Sequence, residues 1–159
     1  MGSMTNPMDA LTSLQAEIFN GIPLRVCKVH KELQMFVDQP NGCYRLTFVK
    51  VESNIIKAFT TFVFEDPTKG VPRLNIGYAV PPEYRRQNLA TEIVQKSIDE
   101  VKAEFQRKGI SSFYVEAVVG IDNLASQKLA NKLLSDKFEE ITDDVSGENA
   151  YHYFCLVQW

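Results

Sequence analysis

The hydrophobic residues change their spacing at Pro81-Pro82, and this change constrains the fold more than any other feature of the sequence. Before it, apolar and polar residues alternate in short runs, as they do in half-buried strands. After it, apolar residues recur every three or four positions over residues 89–105, which predicts an amphipathic helix. The apolar run at residues 113–119, interrupted by Glu116, predicts a buried strand. Strands followed by a strand-helix-strand unit indicate an α+β fold with a mixed sheet.

The other elements follow from the same periodicities and from turn residues. Residues 8–19 predict a short helix, and residues 24–29 a weak strand. Pro40-Asn41-Gly42 predicts a hairpin turn, because Asn-Gly between alternating runs is a strong hairpin signal. We expect further strands at residues 55–64, 74–80, 138–141 and 151–157, turns at residues 52–54, 66–70 and 146–149, and a second helix at residues 123–134.

Composition excludes several classes of function. The chain has 159 residues, which suits one compact domain, and its net charge of −3 argues against a nucleic-acid partner. Its three cysteines, Cys27, Cys43 and Cys155, lack CxxC spacing and predict reduced thiols in a cytoplasmic protein, with no metal site. The sequence shows neither a membrane-spanning run nor a signal peptide. We interpret residues 1–3 as a cloning scar and residues 4–159 as the single domain.

The segment most informative about chemistry is residues 78–91, which join the end of a strand to the start of the long helix. The first backbone N–H groups of a helix have no partner within it and carry the positive end of the helix dipole, so they can hold a diphosphate. Arg85 and Arg86 add cationic donors, and Thr91 adds a hydroxyl. The same residues also allow an ordinary helix start with a solvated arginine pair.

This segment resembles the acyl-CoA loop of the GNAT superfamily of N-acetyltransferases. The family pattern is Gln or Arg, two variable residues, Gly, one variable residue, then Gly or Ala, and Arg85, Asn88 and Ala90 occupy its first, fourth and sixth places. A second block, residues 118–132 with Asn123 and Ser126, resembles the family's fifth strand and the following helix. Before residue 55 the resemblance is poor, since the family usually places helices where this sequence predicts a hairpin.

The resemblance implies a GNAT-like (acyl-CoA N-acyltransferase) fold, a strongly twisted mixed β-sheet flanked by helices. Two strands would splay apart around the pantetheine arm of acetyl-CoA. The backbone at Tyr78, Ala79 and Val80 would pair with the arm, and one N–H there would polarise the thioester carbonyl. Asn123 and Ser126 would lie beside its cysteamine end. The diphosphate would be held by Arg85, Arg86, Gln87, Asn88, Leu89, Ala90 and Thr91.

The sequence departs from the family pattern at three positions. Asn88 replaces the loop glycine, and we expect weaker or altered CoA affinity rather than none, because Asn tolerates left-handed backbone better than other residues that carry a Cβ. Asn75 stands where many members have a glutamate base, and Ala130 where many have a tyrosine acid. The usual catalytic groups therefore cannot be transferred to this chain.

The catalytic candidates are the polar residues that remain, Glu116, Tyr78 and Tyr153. Glu116 lies in an apolar strand, where burial would raise its pKa; the alternative is an outward-facing residue paired with a lysine. Tyr78 and Tyr153 are candidate acids, with a packing role as the alternative. Tyr151 and His152 are further candidates, although a lone histidine on a strand is usually structural.

We therefore expect an N-acetyltransferase that moves the acetyl group of acetyl-CoA, its co-substrate, to a primary amine by direct attack in a ternary complex. The acceptor would be a small molecule or a peptide N-terminus. The alternatives are an acyl-CoA-binding or regulatory module with a degenerate catalytic site, favoured by Asn75 and Ala130, and a ligand-free interaction domain. We expect no membrane partner, and either a monomer or a homodimer paired through residues 151–157.

Overall fold

The computed structural model describes residues 6–134, 138–142 and 147–159, which form three α-helices and eight strands. The helices are α1 (Pro7–Phe19), α2 (Leu89–Arg107) and α3 (Leu124–Leu133). The strands are β1 (Arg25–Val26), β2 (Gln34–Asp38), β3 (Arg45–Glu52), β4 (Ile55–Thr68), β5 (Val71–Ala79), β6 (Ser112–Gly120), β7 (Phe138–Thr142) and β8 (Asn149–Gln158). The predicted scar at residues 1–3 and the first residue of the predicted turn at 146–149 lie outside the described residues.

The strands form one mixed sheet in the order β1-β2-β3-β4-β5-β6-β8-β7. Neighbouring strands are antiparallel except β5 and β6, which are parallel and are connected by α2. A parallel pair needs such a crossover because a tight turn cannot join two strands that run in the same direction. The predicted α+β fold with a mixed sheet is therefore confirmed.

The predicted elements are present, and the differences lie at their ends. The weak strand expected at residues 24–29 shrinks to the two residues of β1. β4 and β5 run further than predicted, and only Lys69 and Gly70 form the turn, with φ of 50° and 79°. Pro67 and Pro72 fall where the register between these strands shifts, so their missing N–H groups interrupt no regular ladder.

The hairpin predicted from Pro40-Asn41-Gly42 is confirmed between β2 and β3. Asn41 and Gly42 have positive φ, which Asn and Gly adopt at lower cost than other residues. At the turn end of the hairpin Arg45 and Asp38 form a two-pronged ion pair, with N···O distances of 2.9 and 2.5 Å. This part of the chain is therefore β-structure, as its own turn signal predicts, where the family usually has helices.

The two faces of the sheet carry different helices, and we name them the α2 face and the α1 face. On the α2 face α2 and α3 cover the larger core, whose fully buried members include Phe62, Leu74, Val94, Phe113 and Val115. On the α1 face α1 packs mainly on β4 and β5, over a smaller core of Leu11, Leu14, Val49, Ile56 and Phe59. Each such buried side chain contributes about 1.5–3 kcal/mol.

The far end of the sheet, β6 with β8 and β7, is more open. On β8, Phe154 and Leu156 remain 45% and 42% exposed on the α1 face. Within the described residues, β7 pairs with residues 149–153 of β8. Part of the strand segment that we predict for dimer pairing, residues 151–153, is thus already paired within the chain itself. None of the described helices is long and apolar enough to cross a membrane.

Candidate active site

A cleft opens in the middle of the sheet because β5 and β6 pair only at their beginnings. Their last paired residues are Asn75 and Glu116. Beyond them β5 continues to Ala79 and β6 to Gly120, but the two strands no longer pair. The strand edges that face this cleft therefore present backbone N–H and C=O groups to any extended chain that enters it. This is the splayed pair of strands that the resemblance implies.

A cradle of backbone amides, residues 86–91, lies just beyond the end of β5, at the start of α2. Arg86 and Asn88 have φ of 65° and 61°, both in the left-handed region. Within the described residues none of the six N–H groups donates a hydrogen bond, and the first helical bond runs from Glu92 to the Asn88 carbonyl. Successive free amides at a turn and helix start form an anion-binding concavity.

Asn88 thus adopts the left-handed conformation that the glycine of the family pattern supplies at no steric cost. Its ψ is 18°, and its side chain makes no capping bond to the helix. The residue is exposed, so the conformation comes from the backbone of the loop rather than from packing around the side chain. Asn is among the few residues with a Cβ that adopt this conformation readily.

Three cationic side chains lie in or beside the cradle. Arg85 donates from Nε to the Val80 carbonyl at 2.9 Å, which ties the loop to the end of the strand. Arg86 is exposed beside it. Lys57 Nζ lies 3.7 Å from the centre of the Tyr84 ring, a cation–π contact that holds another positive charge near the loop. The loop therefore presents free donors and positive charge together.

The start of α3 closes the cleft on the α2 face. Asn123 caps the helix, and its Oδ1 accepts from the Ser126 N–H at 3.1 Å. Tyr78 reaches across from β5 and donates from its hydroxyl to the Ser126 carbonyl at 3.0 Å. Burial raises the pKa of Tyr78 to about 12. The structure thus brings together three of the predicted site residues, Tyr78, Asn123 and Ser126.

Tyr153 also lies on the α2 face, where it is a packing residue. Its side chain is 1% exposed, and its ring lies 5.1 Å from that of Phe138. Burial raises the pKa of Tyr153, so its hydroxyl stays protonated at neutral pH. Ala130 is fully buried in the same core. No hydroxyl therefore occupies the position where many family members carry a tyrosine acid.

Glu116 lies on the opposite, α1 face, apart from the two tyrosines. Its Oε1 lies 2.9 Å from Arg73 Nε, and its Oε2 lies 3.7 Å from His152 Nε2. Burial alone would raise the pKa of Glu116, but the adjacent His152 and the charge of Arg73 outweigh it and hold that pKa below its usual value. Our expectation of a raised pKa is therefore wrong, and the ionic partner, which the alternative interpretation gave as a lysine, is an arginine.

Sequence reasoning misses Arg73 and undervalues His152. Arg73 approaches Glu116 because β5 and β6 pair in parallel with Asn75 opposite Glu116, a register that no sequence pattern reveals. His152, on β8, lies opposite Val118 of β6, and its side chain is on the same face of the sheet as that of Glu116. His152 thus lies opposite a residue only two positions after Glu116 on β6. The sequence would indicate that the two side chains are close only if the order of the strands in the sheet were known.

Comparison with known families and structures agrees with this geometry. A family model described as acetyltransferase (GNAT) domain matches residues 31–133, more than half of the chain. No curated protein sequence matches the chain significantly. More than two hundred chains of solved structures match this chain significantly, and three of them illustrate the likeness.

A GNAT-family acetyltransferase from Streptococcus pneumoniae has a TM-score of 0.54 at 12% identity, with 71% of this chain and 66% of that one covered. The Salmonella typhimurium protein yncA, solved with its cofactor acetyl-CoA, has a TM-score of 0.52 at 18% identity, covering 72% and 64%. An N-acetyltransferase from Staphylococcus aureus Mu50 has a TM-score of 0.51 at 21% identity, covering 72% and 67%. The match thus spans about two thirds of the length of these structures, and at such identities the likeness concerns the fold alone.

Proposed function

Since the chain belongs to the GNAT family of acetyltransferases, we propose that it transfers the acetyl group of acetyl-CoA to a primary amine by direct attack in a ternary complex. One observation carries the proposal: a cleft between splayed strands lies next to six free backbone amides. An extended acyl arm with a diphosphate at one end needs those two features side by side. The Salmonella typhimurium structure that shares the fold contains acetyl-CoA, which supports the choice of donor.

In this proposal the cradle at residues 86–91 holds the diphosphate, and Arg85 adds positive charge. The pantetheine arm lies in the cleft, along the backbone of Tyr78, Ala79 and Val80 on one side. Asn123 and Ser126 border its thioester end on the other. A backbone N–H of the open edge of β5 then polarises the thioester carbonyl as charge develops on its oxygen.

The chemistry requires a neutral amine and a route for its proton. Asn75 cannot accept a proton, but Glu116 lies directly opposite it on the neighbouring strand, on the same face. Glu116 is therefore a carboxylate directly beside the place where many family members carry their base. Tyr78 and Tyr153 are protonated at neutral pH and can act only as donors, and the Tyr78 proton already bonds to Ser126.

A second candidate is a module that binds acyl-CoA without transferring the acyl group. The replacement of both usual catalytic groups, by Asn75 and by the buried Ala130, favours it. Four expectations from the sequence stay predictions: a small molecule or a peptide N-terminus as the acceptor, a cytoplasmic location, residues 4–159 as one domain, and a monomer or a homodimer.

Two measurements separate these candidates. Isothermal titration with CoA tests the cofactor site, and thiol release from acetyl-CoA tests transfer over a panel of a polyamine, an amino acid, an aminoglycoside and a peptide with a free N-terminus. Protein without amine is the control, because free cysteines react with thiol reagents. The enzyme proposal expects CoA binding and amine-dependent thiol release. Binding without release from any amine would favour the binding module, and no binding would overturn both.

A further inference from the structure

We propose that His152 takes the proton that the acceptor amine must lose, and that Glu116 holds its imidazole in place for this step. The inference rests on the proposed function and names the group that receives the proton. It starts from a row of three side chains on the α1 face: Arg73 on β5, Glu116 on β6 and His152 on β8.

Glu116 connects the row because its two oxygens face different partners. Arg73 Nε lies 2.9 Å from Oε1, although its N–H does not point at that oxygen, so the contact is an ion pair rather than a hydrogen bond. His152 Nε2 lies 3.7 Å from Oε2. The three residues come from strands next to one another in the sheet, so the sheet register holds the row more rigidly than loops would.

The row stands at the level where the cleft opens. Asn75 and Glu116 form the last pair between β5 and β6, and His152 lies opposite Val118 in the unpaired part of β6. α1 packs mainly on β4 and β5, and the His152 side chain remains 25% exposed. An amine on the α1 face can therefore approach His152 while an acyl arm occupies the cleft.

The ring orientation distinguishes the two nitrogens. Nε2 is the nitrogen nearer the carboxylate, at 3.7 Å, which is longer than a hydrogen bond, so the neutral tautomer with its proton on Nε2 is part of the proposal and leaves Nδ1 as the acceptor. Nδ1 takes one proton from the amine, whose lone pair forms the new N–C bond at the thioester carbonyl. The C–S bond breaks, and the thiolate leaves and takes a proton from water. The imidazolium, stabilised by Glu116, returns its proton to water, so the step balances.

Glu116 alone is the weaker choice for this proton. The pKa of Glu116 is held below its usual value, so at neutral pH its carboxylate is a poorer proton acceptor than an imidazole. Among the described residues, the charged and titratable groups that face His152 are Glu116, Arg73 beyond it, and Glu139, which lies opposite His152 on β7.

The chain offers a matched control because it has two histidines. His30 bonds to Asp99 on α2 at 2.9 Å and belongs to none of the site elements. We therefore compare His152→Gln with His30→Gln, using the most active amine of the panel. The measurements are CoA affinity, kcat and KM for the amine, and the dependence of kcat/KM on pH. His152→Asn serves as a second variant should His152→Gln fold poorly.

The proposal predicts that His152→Gln lowers kcat by about 10²–10⁴-fold, leaves CoA affinity unchanged and loses the acidic limb of the pH profile. Added imidazole should restore part of the rate, and His30→Gln should behave as wild type. If the His152→Gln enzyme keeps the wild-type rate and pH profile, the proposed role of His152 is overturned while the proposed acetyltransferase function stands. CoA binding without thiol release by the wild-type protein would overturn the proposed function, and this role with it.

Discussion

Replacing Asn88 tests whether the amide cradle is preformed for its ligand. Asn88 is exposed, makes no capping bond and has φ of 61° and ψ of 18°. A left-handed residue with a Cβ costs about 1–2 kcal/mol, and less for Asn. We therefore expect Asn88→Ala to add about 1 kcal/mol of strain, whereas Asn88→Gly removes the strain. Because the loop is exposed, the alanine variant should relax away from the cradle conformation in the free protein.

Binding must then restore that conformation, so the dissociation constant of CoA should rise about fivefold in Asn88→Ala, since 1.4 kcal/mol is a factor of ten. Isothermal titration measures the constant, and Asn88→Gly should bind at least as tightly as wild type. The matched control is Asn54→Ala, which removes another left-handed Asn, φ 65°, in the β3–β4 turn. This control should lose stability but keep CoA affinity. Equal weakening in both alanine variants, or in neither, would refute the reasoning.

Three further predictions concern pKa and packing. The pKa of Glu116 in the folded protein is lowered from 4.5, so its ionised carboxylate contributes fully to stability above pH 4.5, and this contribution is lost as the pH falls through the folded-state pKa. Arg73→Gln should therefore raise the midpoint of the Glu116 titration followed by ¹³C NMR. An unchanged midpoint would contradict the ion pair. The buried Glu100 carboxylate accepts hydrogen bonds from the backbone N–H groups of Val29 and His30. Glu100→Ala should therefore lower the free energy of unfolding in urea by about 3 kcal/mol, and a loss near zero would show that these hydrogen bonds do not stabilise the fold. Burial raises the pKa of Cys27 to about 12, so iodoacetamide should alkylate this thiol only after unfolding, which mass spectrometry can check; rapid labelling of the native protein would show that it is accessible.

Local signals predict most of the fold. The alternation before Pro81-Pro82 and the three- and four-residue spacing after them correspond to β2–β5 and to α2, and Asn41-Gly42 sets the hairpin because both residues adopt positive φ. The ends of β4 and β5 escape prediction, since pairing across Lys69-Gly70 extends both strands beyond their apolar runs. Tertiary pairing overrides the local pattern there.

The site is predictable where it depends on backbone and less so where it depends on register. The free amides of residues 86–91 are predictable because a helix starts there directly after a strand. The left-handed backbone of Asn88 is predictable because Asn tolerates that conformation. The ionic row on the α1 face depends on which strands lie side by side. Glu116 therefore reads as an isolated carboxylate in the sequence, and its expected pKa shift has the wrong sign, because neither Arg73 nor His152 is adjacent to it along the chain.

We propose above that the amides at the start of α2 hold the diphosphate of CoA. The most direct test follows the backbone amide signals of the ¹⁵N-labelled protein during titration with CoA. We predict that the signals of residues 86–91 and 76–79 shift most and saturate together, while those of Leu11 and Leu14 in α1 stay in place. Saturation that leaves residues 86–91 unmoved, or shifts confined to another surface, would contradict the account.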